Sequence, residues 1–121
     1  MDGITVYHDK HTARLIDGLI DLQRDIHQLE VLKGWWDEPR NDGELIALIH
    51  REVSECLEAL RDGNPPDKHV PEYNSAEVEL ADAVIRILDM AEARRWRVAE
   101  AMVAKHEFNR SREWKHGGKK F

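Results

Sequence analysis

The run Asp62-Gly63-Asn64-Pro65-Pro66 constrains the fold of this chain more than any other stretch. Two consecutive prolines fix φ and remove two amide donors, so no helix passes through them. The segments on either side nevertheless read as helices. In "DGELIALIHREVSECLEALR" the residues Leu45, Ile49, Val53, Cys56 and Leu60 recur at helical spacing, with Leu48 beside them. In "SAEVELADAVIRILDMAEAR" apolar side chains fall on two faces, Leu80, Val84 and Ile87 on one and Val78 and Ile85 on another. Each segment also carries a pair of acids three residues apart: Glu52 and Glu55, then Glu79 and Asp82. Three residues turn a helix by roughly 300°, so both members of a pair share a face. If the second helix returns antiparallel across the break, four carboxylates converge at the edge of an apolar stripe. Charge in such a position needs compensation. Hard divalent cations such as Mg²⁺ or Mn²⁺ favour oxygen ligands of this kind. The plain alternative is a solvated charged face whose spacing is incidental.

Length and composition narrow the class. A chain of 121 residues fits one domain with a single core. With 35% charged residues and 7% aromatic ones, and apolar residues at helical spacing, it reads as an all-α globular protein. A formal net charge of −6 argues against binding nucleic acid polymers or an anionic membrane surface nonspecifically. The start of the chain lacks the charged and apolar regions of a signal peptide, and no apolar run approaches the roughly 20 residues a bilayer demands. A single cysteine, Cys56, excludes an intrachain disulfide and suits a reducing, cytoplasmic setting. On its apolar stripe Cys56 reads as a small buried hydrophobe.

The remaining elements follow in order. Residues 1–10 read as a loose arm. From about Thr12 to Lys33, Leu15, Leu19, Leu22, Ile26 and Leu29 step by four and three in an a/d-like seam, which Gly34 terminates. Trp35, Trp36 and Pro39 make a turn. The second helix is expected from Asp42 or Gly43 to Arg61, and the third from Asn74 or Ser75 to about Arg94, with Glu77 as early negative charge. A break at Arg94–Arg97 precedes a fourth helix over about Val98–Arg110, and residues 113–121 form a mobile basic tail. Four helices with short connections predict a bundle-like single domain, and the doubly apolar third helix predicts association of copies, as a homodimer or homotetramer. On the fourth helix Lys105, Asn109 and Arg112 step by four and three. Beside an acidic metal cluster, such residues suit the phosphate-binding half of a polyphosphate site.

The segments "KGWWDEPRNDGELIALIHREVSECLEALRDG", "EVELADAVIRILDMA" and "KHEFNRSREWKHGGKKF" carry a resemblance. They are similar to the MazG-like nucleotide pyrophosphohydrolases of the all-α NTP pyrophosphatase superfamily, from about Lys33 to the C-terminus. The family pattern E-E-x-x-E followed by E-x-x-D is matched here by Glu52, Glu55, Glu79 and Asp82, with Arg51 in place of the first acid. The family's K-x-x-Y-N-x-x-R segment is matched by Lys105, Asn109 and Arg112, with Phe108 in place of the tyrosine. The resemblance implies Mg²⁺-dependent hydrolysis of a (deoxy)nucleoside triphosphate to monophosphate and diphosphate. It implies the four acids as metal ligands, and Glu52 or Glu55 as the carboxylate that orients or deprotonates water. Lys105, Asn109 and Arg112 would hold phosphates, joined by Lys119 from a tail that folds over them. A base pocket would come from the first helix and the loop after it, with Gln23, His27, Trp35, Trp36 and Asn41 as candidates. Three alternatives stand beside this reading. One is the same chemistry restricted to dGTP, dUTP or dCTP. Another is a helical oligomerisation module without enzymatic activity. The third, a di-iron carboxylate bundle, calls for Glu-x-x-His pairs, and His50 stands at the wrong spacing from Glu52.

Overall fold

A computed structural model describes residues 9–112. They form four α-helices, α1 (Lys10–Leu32), α2 (Asp42–Arg61), α3 (Ser75–Arg94) and α4 (Val98–Ser111), with no β-strand among the described residues. The all-α expectation holds. No helix among them is long and apolar enough to cross a membrane.

Local chemistry explains where each helix starts and stops. Helix α1 begins two residues earlier than its apolar seam suggests. The Asp9 side chain accepts the His11 amide at 2.8 Å, one of the donors that a helix start leaves unpaired, and the Thr12 hydroxyl at 3.2 Å. At the other end Gly34 adopts φ +89°, the left-handed turn that glycine takes without steric cost. Asn41 caps α2 through the Glu44 amide, and Asn74 caps α3 in a reciprocal box with Glu77. Arg95 ends α3 in the left-handed region, φ 57°, and so breaks α3 from α4 as the sequence suggests.

The chain divides into two compact units. Among the described residues, one comprises 9–22 with 96–112, and Ile16 and Ala99 are its buried apolar residues. The other, Gln23–Arg95, holds the α2/α3 pair. That pair is an antiparallel hairpin: Asp42 near the start of α2 binds Arg94 at the end of α3, Glu52 binds Arg86, and Asn64 after α2 caps the Ala76 amide. Its core is Leu45 and Cys56 from α2 against Ala76, Ala83, Leu88, Met90 and Ala91 from α3. The connection, residues 62–74, is held by the Ser75 hydroxyl on the Pro65 carbonyl at 2.6 Å and by the Asp67 carboxylate, which accepts the His69 and Val70 amides. Those amides hold the Asp67 carboxyl below its ordinary range.

Burial on α1 departs from the predicted seam. Ile16 and Gln23 are buried, at 4% and 6% exposure, whereas Leu15 and Leu22 are about half exposed, at 50% and 49%. The buried line is therefore displaced by one residue, about 100° around the helix, and the leucine seam is left open to solvent. Val53, Leu57 and Leu60 of α2 and Leu80 and Val84 of α3 are also about half exposed.

Candidate metal centre

The hairpin register brings one turn of α2 opposite one turn of α3. Glu52, Glu55 and Glu79 each present a carboxylate oxygen, and the three lie within 4.8 Å of one another. Glu52 is buried at 6% exposure and accepts Arg86 Nε at 2.8 Å; Glu55 accepts Arg51 Nε at 3.1 Å. Glu79 has no such cation among the described residues. Its Oε2 is buried and without a hydrogen-bond partner among the described residues, a costly state for a carboxylate oxygen. Asp82, the fourth acid of the predicted set, lies outside the tight group of three but lines the same cleft, a space of about 650 Å³ walled by residues 65–70.

Titration follows this geometry. Burial, then hydrogen bonding with Glu52 and Glu55 and their negative charge, raises the Glu79 carboxyl to about 7. Partial burial also pushes Glu55 up, but hydrogen bonds from Arg51 and Glu79 and the Arg51 charge outweigh it and hold Glu55 below its ordinary value. Asp82 is raised by burial and by the Glu52 charge, partly offset by Arg86. A metal-free cluster therefore retains a proton near neutrality, centred on Glu79. The donor set is all oxygen, crowded and one partner short, which fits a hard divalent cation.

Glu52 and Asp82 also border a second cavity, of about 230 Å³, shared with Trp35, Arg40, Arg86 and Asp89. Asp89 is buried and accepts His27 Nδ1 at 2.7 Å and Trp36 Nε1 at 3.1 Å. A carboxylate only accepts, so His27 carries a proton on Nδ1. The His27 and Trp36 rings meet edge to face, with centroids 5.3 Å apart, and Arg40 lies over Trp36 at 5.0 Å. Of the predicted base-contacting residues, His27 and Trp36 are thus brought together, while Trp35 beside them is exposed. Gln23 donates to Glu92 at 2.9 Å and leaves its Oε1 buried and unpartnered among the described residues. Asn41 spends its side-chain oxygen on the helix cap.

Of the predicted phosphate-binding residues, Lys105 and Asn109 lie on α4, which ends at Ser111, so Arg112 is the residue after the helix, with extended backbone. Lys105 Nζ and the Arg112 guanidinium both approach the Phe108 ring, at 4.6 and 6.0 Å. Lys119 lies outside the described residues.

Sequence reasoning missed Arg86 and Asp89. A signal was present: Glu79, Asp82, Arg86 and Asp89 step by three, four and three along one face of α3. No family model, curated protein or solved structure matches the chain.

Proposed function

We propose that the chain is a MazG-like pyrophosphohydrolase that converts a (deoxy)nucleoside triphosphate and water to the monophosphate and diphosphate, acting on the cytoplasmic nucleotide pool. The observation that carries this reading is the orphaned oxygen of Glu79 within a cluster of three carboxylates, in the motif order that the resemblance requires. Glu52, Glu55, Glu79 and Asp82 would hold Mg²⁺, with Mn²⁺ as a substitute. Once bound, the cation supplies positive charge to phosphate oxygens and acidifies water. Glu55, kept ionised beside Arg51, and Glu52, fixed by Arg86, suit the role of carboxylates that bind the cation and orient the attacking water. On the motif, Lys105, Asn109, Arg112 and Lys119 would hold the phosphates. Incubation of a (d)NTP panel with Mg²⁺, followed by anion-exchange analysis, should yield monophosphate and diphosphate. Nucleoside diphosphate with inorganic phosphate as first products would reject the reading.

Restriction to one base, dGTP, dUTP or dCTP, draws support from the locked arrangement of His27, Trp36 and Asp89, since fixed polar groups discriminate more strongly than an apolar slot. Copies of the chain would also associate in this reading, because Leu15, Leu22 and Leu29 line one face of α1 at heptad spacing and each is about half exposed. Light scattering should then give a dimeric or tetrameric multiple of the 14.1 kDa chain, and Leu22→Lys should lower that mass. A wild-type monomer at micromolar concentration counts against association. A helical module without activity would associate equally well but would release no diphosphate from any nucleotide.

A further inference from the structure

Against a formal net charge of −6, one cleft of the Gln23–Arg95 unit gathers three guanidinium groups. It has a volume of about 420 Å³, within the range of small-molecule sites, and Arg40, Arg51 and Arg86 line it beside Trp35. Two carboxylates, Glu38 and Glu44, share the lining, so the arginines outnumber the acids.

Two of these arginines are tied to the candidate metal centre in the same way. Arg86 engages Glu52 through Nε at 2.8 Å, and Arg51 engages Glu55 through Nε at 3.1 Å. Neither pair uses the terminal amino groups of the guanidinium, and those groups bind no other acceptor among the described residues. An arginine has five N–H donors in a fixed plane, so each retains the four on its terminal nitrogens for a second anion. Arg40 has no carboxylate partner among the described residues; its guanidinium lies 5.0 Å from the Trp36 ring and 6.0 Å from Trp35. The cleft thus offers one uncompensated cation and two half-used ones, next to the acids.

We propose that Arg40, Arg51 and Arg86 bind the diphosphate portion of the substrate, with Arg51 and Arg86 bridging substrate phosphate to Glu55 and Glu52. The proposal rests on the pyrophosphohydrolase reading and adds to it a set of phosphate ligands on α2, α3 and the turn before α2. Planar forks recognise phosphate oxygens in pairs. When a cation draws on the charge of Glu52 and Glu55, the two arginines lose part of their counter-charge, and an anion replaces it. Cation and diphosphate therefore strengthen each other's binding, and by linkage the effect is reciprocal.

The test is calorimetric titration of inorganic diphosphate into the full chain with and without Mg²⁺, paired with the Mg²⁺-induced shift in melting temperature. Arg51 is well exposed and Arg40 has no ion pair to lose, so Arg51→Ala and Arg40→Ala should fold. Each should weaken diphosphate binding by about tenfold or more, the usual scale for a hydrogen bond between charged groups. The Mg²⁺-induced shift of Arg51→Ala should stay the same or grow, because Glu55 loses its competing cation. A general structural defect would diminish both responses together and would overturn the assignment. Unchanged diphosphate affinity in both variants, with a normal Mg²⁺ shift, would also overturn it while leaving the metal centre standing. A wild type that shifts with Mg²⁺ but binds no diphosphate has the same consequence. Absence of any Mg²⁺ shift in the wild type, with arginine-dependent diphosphate binding retained, would remove the metal centre and keep the cleft.

Discussion

Glu79→Gln should stabilise the metal-free protein above neutral pH and abolish its response to Mg²⁺. The Glu79 carboxyl stands at about 7 in the folded chain against 4.5 as its ordinary value. Between those values the folded state binds the extra proton, so stability is greatest in acid and falls as pH rises from about 4.5 through 7, then levels off. The loss is on the order of 1–3 kcal/mol once solvent screening of a partly open cluster is allowed for. Glutamine keeps the volume and stays neutral, so urea unfolding at pH 5 and pH 8 should show a flatter profile for the variant. Saturating Mg²⁺ should cancel the wild-type decline, because the cation replaces the proton; at 100 times Kd one site contributes about 2.7 kcal/mol. Its affinity should rise with pH through 7 for the same reason. Loss of one ligand removes several kcal/mol of charge stabilisation, so turnover of the preferred nucleotide should fall by about a thousandfold. An unaltered pH profile and Mg²⁺ response in Glu79→Gln would reduce the cluster to a set of solvated acids.

Asp89→Ala should produce the largest stability loss of any single polar substitution in the α2/α3 unit. Asp89 is only 7% exposed and is the common acceptor for His27 Nδ1 and Trp36 Nε1. Removing it strands two donors in a part-buried site, which costs about 3 kcal/mol. That corresponds to a fall in Tm of roughly 10 °C for a chain of this size. Asp89→Asn should recover part of the loss, because its carbonyl oxygen can still accept from both His27 Nδ1 and Trp36 Nε1, which share Oδ1 in the wild type. At a temperature where the variant remains folded, Km should rise more than kcat falls, since His27 and Trp36 lose their fixed orientation while the acid cluster persists. A Tm within 2 °C of wild type would mean that the rings are held by packing alone.

Local signals in this chain were strong where covalent geometry decides the outcome. Pro65 and Pro66 end α2 whatever surrounds them, and Asn41, Asn74 and Gly34 act within one turn of their own position. The i, i+3 acids share a face because of helix pitch alone, so the convergence of Glu52, Glu55 and Glu79 was legible once the break implied an antiparallel return. Asp82 shares that face but falls outside the closest group, a matter of rotamer and helix offset that spacing does not resolve. Cys56 is buried as its stripe suggested.

Other features depended on which helix meets which. Hydrophobic periodicity marks a stripe on α1, but burial falls on Ile16 and Gln23 instead of Leu15 and Leu22, and within the Gln23–Arg95 unit Gln23 and His27 meet Glu92 and Asp89 of α3. Arg86, which carries no motif of its own, neutralises a buried glutamate 34 residues away. Asp89 likewise acquires its partners from 53 and 62 residues away. By itself, then, the sequence determined the helices, their caps and the face on which the acids lie, since each depends on interactions within a turn or two. Only the tertiary structure decided which charge each acid meets, which face of α1 is buried and where the arginines gather, because those outcomes arise from the relative rotation of packed helices, a degree of freedom that no local propensity encodes.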